Sequence, residues 1–322
     1  MPSFRTGVVG EVLAERPGLQ KVVVDGERAY VLTQLIGTVA AGDRVVVNTT
    51  AVDLGLGTGG WHFVHWNLER SSWSEPGPGT VMKLRYTSLQ VDVGAADGDG
   101  AGLGGTPVVA CDLHSQVAPV AAAFERAAPG RRLVYVMTDS AALPLALSDL
   151  VADLRERGLL AATVSCGQAF GGDFEAVSVP SALEAAVGAG GAAAVVVAPG
   201  PGVVGTGSRY GFTGVEVAWV VDVAARLGGR PIVAVRYSDA DGRDRHREIS
   251  HHTTTTLGLA HCRPLIAVPR AGGMRIPEGV EVDVPPDLEL GPAASMGRGP
   301  DEDPGFFRWA AAAGVLAGQL LG

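Results

Sequence analysis

From residue 106 to residue 269 the chain alternates short β-branched runs with longer stretches whose apolar residues recur at helical spacing. TPVVACDL, RRLVYVMTDS, LAATVSCG, AAAVVVAPG, RPIVAVR and RPLIAVP read as strands. VAPVAAAFERAAP, LALSDLVADLRERG, VPSALEAAVGAG, GVEVAWVVDVAARLGG and HTTTTLGLAHC read as the intervening helices. Near-continuous apolar strands must be buried on both faces, and helices are what covers them. The expected fold is therefore α/β: an open, mostly parallel three-layer α/β/α sheet, built through right-handed crossovers.

The first part of the chain follows another rule. TGVVGEVLAE, QKVVVDG, RAYVLTQLIG and DRVVVNTTAV are closely spaced runs separated by Pro-Gly, Asp-Gly-Glu and Ala-Gly-Asp. Short strands joined by such turns suit a small β-barrel-like domain. The expected division is 1–80 for this domain, 81–105 for transition strands and a flexible loop, 106–269 for the doubly wound domain, and 270–322 for an extended tail ending in a helix that packs on the core. In the WHFVHW segment, His62 and His65 fall on opposite faces of a strand, so a shared metal is not expected there.

A parallel sheet gathers the loops after its strands along one edge, where such folds bind ligands. The loops expected there are polar: Asp112 and His114 after the first strand, Asp139 after the second, Asp173 and Glu175 beyond the third. After the fourth comes PGPGVVGTGSRYG, and after the fifth RYSDADGRDRHREISHHTTTT, the densest group of ionisable side chains in the sequence. In the glycine-rich loop, Gly202, Gly205, Thr206, Gly207 and Ser208 are candidate anion ligands, because backbone N–H groups before a helix can hold a phosphate or carboxylate. It matches neither a Walker loop nor the dinucleotide fingerprint. Arg236, Arg243 and Arg245 offer forked donors to the same anion.

For acid–base chemistry the candidates are His114, His251, His252 and Asp139. Asp112, His114, Asp173, Glu175 and His246 are candidate ligands of a divalent metal, although no His-Glu-x-x-His or paired Cys-x-x-Cys spacing supports one. Cys111, Cys166 and Cys262 are odd in number and widely spaced, which gives no disulfide framework and points to buried thiols in a reducing, cytoplasmic setting.

A net charge of −9 over 322 residues argues against a general nucleic-acid binder. The N-terminus lacks signal-peptide character, and the apolar run near the C-terminus is too short and too interrupted for a membrane span. A homodimer is expected from frequency alone.

The motifs LHSQ, YVMTDSAALPLALSDL, CGQAFGGDFEAVSVPSAL, APGPGVVGTGSRYGFTGVE and RYSDADGRDRHREISHHTTTTL occur in one order with GDRVVVNTTAVDLGLGTGGWHFV before them. On these the chain resembles the uncharacterised bacterial family known as domain of unknown function 3866. The resemblance implies no activity. Two residues depart from the family pattern: Ser140, where glycine is usual, and Gln168, where histidine is expected before Ala-Phe-Gly-Gly-Asp. Were that histidine a metal ligand in other members, its replacement here would remove it. The function expected is an enzyme acting on a small anionic metabolite, phosphorylated ones included, as a hydrolase or transferase with or without a divalent metal. The alternative is a non-catalytic metabolite sensor or assembly scaffold.

Overall fold

A computed structural model describes the whole chain except residues 97, 271–275 and 277. Those residues, part of the expected flexible loop and extended tail, lie outside the described residues. The chain forms two compact units, Met1–Gly94 and Ala95–Gly322.

In the first unit, β1 (Phe4–Arg16), β2 (Leu19–Val24), β3 (Glu27–Leu32), β4 (Arg44–Asn48) and β5 (His62–Asn67) close into a barrel in the order β1-β2-β3-β5-β4. Short helices α1 (Thr33–Ile36) and α2 (Thr50–Asp53) interrupt the succession. The turn chemistry fixes the register. Arg16 pairs with Leu19 across Pro17-Gly18, and Val24 with Glu27 across Asp25-Gly26, whose φ angles of 48° and 83° suit a tight hairpin. Alternation then sends Val22, Val24, Ala29, Val31, Val45 and Val47 into a small apolar interior. A hairpin of β6 (Val81–Lys83) and β7 (Val91–Val93) completes the unit.

The second unit runs β8 (Pro107–Cys111), α3 (Val117–Ala127), β9 (Leu133–Thr138), α4 (Asp149–Glu156), β10 (Ala162–Ser165), β11 (Phe174–Glu175), α5 (Val179–Val187), β12 (Ala194–Pro199), α6 (Val217–Arg226) and β13 (Arg230–Ala234). It continues with β14 (Tyr237–Ser238), β15 (Glu248–Ile249), α7 (His251–Leu259), β16 (Leu265–Pro269), β17 (Val280–Val282) and α8 (Pro304–Gln319). Eight strands form one parallel sheet, ordered β11-β10-β9-β12-β8-β13-β16-β17. The six expected strands form its middle. The edge strands β11 and β17 come from FGGDFE and from the tail, whose two- and three-residue pairings carry too little periodicity to be read in sequence.

Strand alternation sorts the core into two layers. Val109, Cys111, Tyr135 and Met137 face α3, α4 and α8, while Val108, Ala110, Val134 and Val136 face α5 and α6. The small residues of α8 serve this packing: a Cβ at Gly314 would meet the Val120 carbonyl oxygen at 2.2 Å, so α8 lies directly against α3 of the same chain. Among the described residues, no helix is long and apolar enough to cross a membrane.

The chain leaves β8 toward β9 and β10, returns to β12, and then crosses to β13 on the other side of β8. This reversal opens a crevice beyond the carboxyl ends of β12, β8 and β13.

Candidate functional site

Two segments meet in that crevice. After β13 the chain forms a short antiparallel ribbon, Tyr237 opposite Ile249 and Ser238 opposite Glu248, which returns it to the sheet edge. Ser250 then caps α7, its Oγ accepting from the His252 N–H at 3.2 Å, a contact worth about 1 kcal/mol. The cap places His251 and His252 in the first turn of α7, and a turn at 244–246 brings His246 beside them. The three rings lie 4.5 to 5.0 Å apart, centroid to centroid. His252 is fixed from below by Phe212, stacked at 3.6 Å and 5°.

Guanidinium groups set which nitrogen carries the proton on two of these rings. Arg236 Nη1 donates to His252 Nδ1 at 2.7 Å, and because a guanidinium cannot accept, the ring proton sits on Nε2. Arg245 Nε lies 3.3 Å from His246 Nε2, which leaves His246 Nδ1 to donate to Ser250 Oγ at 2.7 Å. Burial first, and Arg236 second, lower the His246 pKa to about 3 and that of His252 to about 2. His251 is lowered by burial and then by Arg245. Its ring makes no hydrogen bond within the chain among the described residues.

Across from the histidines runs the glycine-rich loop. It encloses, with them, a cavity of about 80 Å³, the room of roughly two or three water molecules. Gly205, Gly207 and Ser208 line it on one side and Arg236, Arg243 and Arg245 on the other. The loop holds its shape internally: Thr206 N–H donates to Gly211 O at 2.7 Å, and Gly211 N–H to Ser208 Oγ at 3.1 Å. Among the described residues, the N–H groups of Gly205, Gly207 and Ser208 are left without an acceptor in the chain. Gly202 and Thr206 do not line the cavity; they shape the loop, Gly202 with φ 92°.

The three arginines are not equivalent. Arg243 forks onto Asp241 at 2.9 and 2.8 Å, and Arg298 also approaches that carboxylate, so the Arg243 charge is matched. Arg236 and Arg245 make no ion pair among the described residues. Burial lowers the pKa of Arg236 to about 10, with Asp112 opposing the shift. Asp112 itself is 1% exposed, its Oδ1 unpartnered, and burial raises its pKa to about 7 against the pull of Arg236. The cavity therefore carries excess positive charge.

His246, His251 and His252 can each point one nitrogen within 4.8 Å of the others, close enough to converge on a metal ion. Such an ion would have to displace Arg236 from His252 and Arg245 from His246, and would enter among like charges. An anion meets neither obstacle.

The remaining sequence candidates lie apart from this cavity. His114 is bonded through both nitrogens, Nδ1 to the Pro199 carbonyl at 3.0 Å and Nε2 to Ser148 Oγ at 2.6 Å, which ties β12 to the cap of α4. Burial lowers its pKa to about 4. Asp139 accepts from the Gln168 N–H at 2.8 Å. Asp173 accepts from Thr163 and Arg155, and Glu175 from Ser165 and the Gly171 N–H, so both carboxylates hold the β10–β11 edge together. Burial raises the Cys111 thiol and, with Asp222, the Cys262 thiol, the latter to about 11. Three cavity residues had no sequence signal: Phe212, Leu113 and Met296. Met296 sits in the tail with φ 51°, a left-handed conformation that is costly for methionine.

Residues 28–282 match the family described as "Protein of unknown function (DUF3866)". No curated protein and no solved structure matches the chain.

Proposed function

The chain belongs to that family of unknown function, and since membership carries no activity, we propose from the site itself that the protein is an enzyme acting on a small metabolite with an oxyanionic head group. The observation that carries this reading is the pair of unmatched guanidiniums, Arg236 and Arg245, facing free loop N–H groups across a small cavity. A phosphate or carboxylate there receives forked donation from arginine and backbone donation from Gly205, Gly207 and Ser208. The His252 Nε2–H adds a further donor on the same wall.

His251 is the proton carrier in this account. It is the one ring of the three that no guanidinium engages, and its lowered pKa keeps it neutral, ready to accept a proton, at pH 7. The small volume admits the head group and leaves the rest of the substrate outside, past Val204 and Met296.

The test is a panel of small phosphate monoesters and carboxylates, followed for saturable binding and for product. Binding and turnover in the wild type, with turnover lost and binding kept in His251→Ala, support the enzyme. Binding without turnover across the panel favours the sensor.

A further inference from the structure

Ser295, Met296, Gly297 and Arg298 form a tight turn in the tail. The Ser295 N–H donates to the Arg298 carbonyl and the Arg298 N–H to the Ser295 carbonyl, both at 2.9 Å. The two central residues, Met296 and Gly297, have φ angles of 51° and 78°. A turn with two positive φ angles favours Asn or Gly at its first central position, and the β-carbon of a methionine is disfavoured there. The turn is nonetheless held from several sides. Ser115 Oγ donates to Ser295 Oγ at 3.1 Å, and Arg298 reaches Asp303 at 3.2 Å and Asp241 at 3.5 Å. Strain of this kind persists where the surroundings impose it, and it gathers at ligand sites.

Core packing does not account for Met296. The residue is 54% exposed, yet it lines the cavity shared by the arginines and the glycine-rich loop. Val204, also exposed, lines the same cavity, and Leu113, Val203 and Phe212 add further apolar surface. Among the described residues, no Asp, Glu, Asn or Gln side chain lines it. A sugar or polyol would need such groups, because each hydroxyl both donates and accepts. An apolar substituent needs none, and it gains by leaving water against a methionine, whose thioether also suits the edge of an aromatic ring. We infer that Met296 is a specificity-determining residue and that the oxyanion of the substrate carries an aryl or alkyl group in place of a polyhydroxylated one. The inference rests on the oxyanion site proposed above and names the class of substrate that site takes.

Inorganic phosphate, phenyl phosphate and glycerol phosphate are the probes, each titrated calorimetrically into the full-length protein. Phenyl phosphate is expected to bind roughly ten-fold more tightly than glycerol phosphate. Met296→Asn suits the turn, so it melts no lower than the wild type. It brings the two esters to within about two-fold of each other and still binds inorganic phosphate. Inorganic phosphate binding without a preference for the phenyl ester overturns this inference and leaves the oxyanion site standing. Failure of all three probes overturns both. A phenyl preference undiminished in Met296→Asn, or loss of inorganic phosphate in the folded variant, also overturns the role given to Met296.

Discussion

Arg245 lies against Gly207 so closely that a β-carbon at residue 207 would stand 3.0 Å from its Nη1. The two residues belong to loops that leave different strands, β12 and β13, and both line the cavity. Gly207 also has φ 85°, a conformation that costs an L-residue about 1 kcal/mol or more. Gly207→Ala is therefore expected to lower stability by about 1 kcal/mol in urea denaturation. It should also weaken phosphate binding, because Arg245 must move.

Arg245 is exposed, so removing it costs little in folding. Arg245→Gln is expected to leave the melting temperature within a few degrees and to weaken phosphate roughly ten-fold, the loss of one charge-assisted contact. Arg245→Lys should recover only part of the affinity, since a lysine keeps the charge without the fork. Calorimetry at two salt concentrations checks both.

The histidines separate structure from chemistry. His252 is stacked on Phe212 and bonded by Arg236, so His252→Ala leaves a buried guanidinium without its acceptor. A stability loss of about 2 kcal/mol is expected, beside the loss of activity. His251 meets Phe212 only edge-on, at 5.7 Å, and no arginine among the described residues bonds its ring, so His251→Ala should abolish turnover with little change in melting. Equal destabilisation by the two variants would remove the distinction drawn between them.

The course of the loops was legible in sequence because each follows a strand whose apolar run is unmistakable, and a parallel sheet gathers such loops on one edge. Arg236, Arg243, Arg245 and the 246–252 histidines were found in this way. What the sequence could not display was the partner of each side chain. Asp173 and Arg155 are 18 residues apart and His114 and Ser148 are 34 apart, and neither spacing announces that these polar groups are already satisfied inside the protein. Met296 reaches the cavity from a tail whose prolines and acids indicate only that it is extended.

His114 gives a pH-dependent signature. Its folded pKa, about 4, is below the ordinary 6.5, so the folded protein keeps the ring neutral while the unfolded chain takes up a proton below pH 6.5. Stability from this group is present above pH 6.5 and is lost as pH falls toward 4. Between pH 7.5 and 5.5 one such site changes stability by about 1.4 kcal/mol. Asp112, raised to about 7, works in the opposite direction, since it binds a proton in the fold that the unfolded chain releases above pH 4. His114→Gln should lower stability at both pH values but reduce the fall between them by about 1.4 kcal/mol, as read from urea midpoints.

The oxyanion site proposed above is built jointly by Arg236, Arg245 and the glycine-rich loop. Titration of inorganic phosphate into the full-length protein at low ionic strength tests it most directly. One saturable site per chain is expected, lost in the double substitution Arg236→Gln with Arg245→Gln while the variant remains folded by circular dichroism. No saturable heat in the wild type, or undiminished binding in the folded double variant, would contradict it.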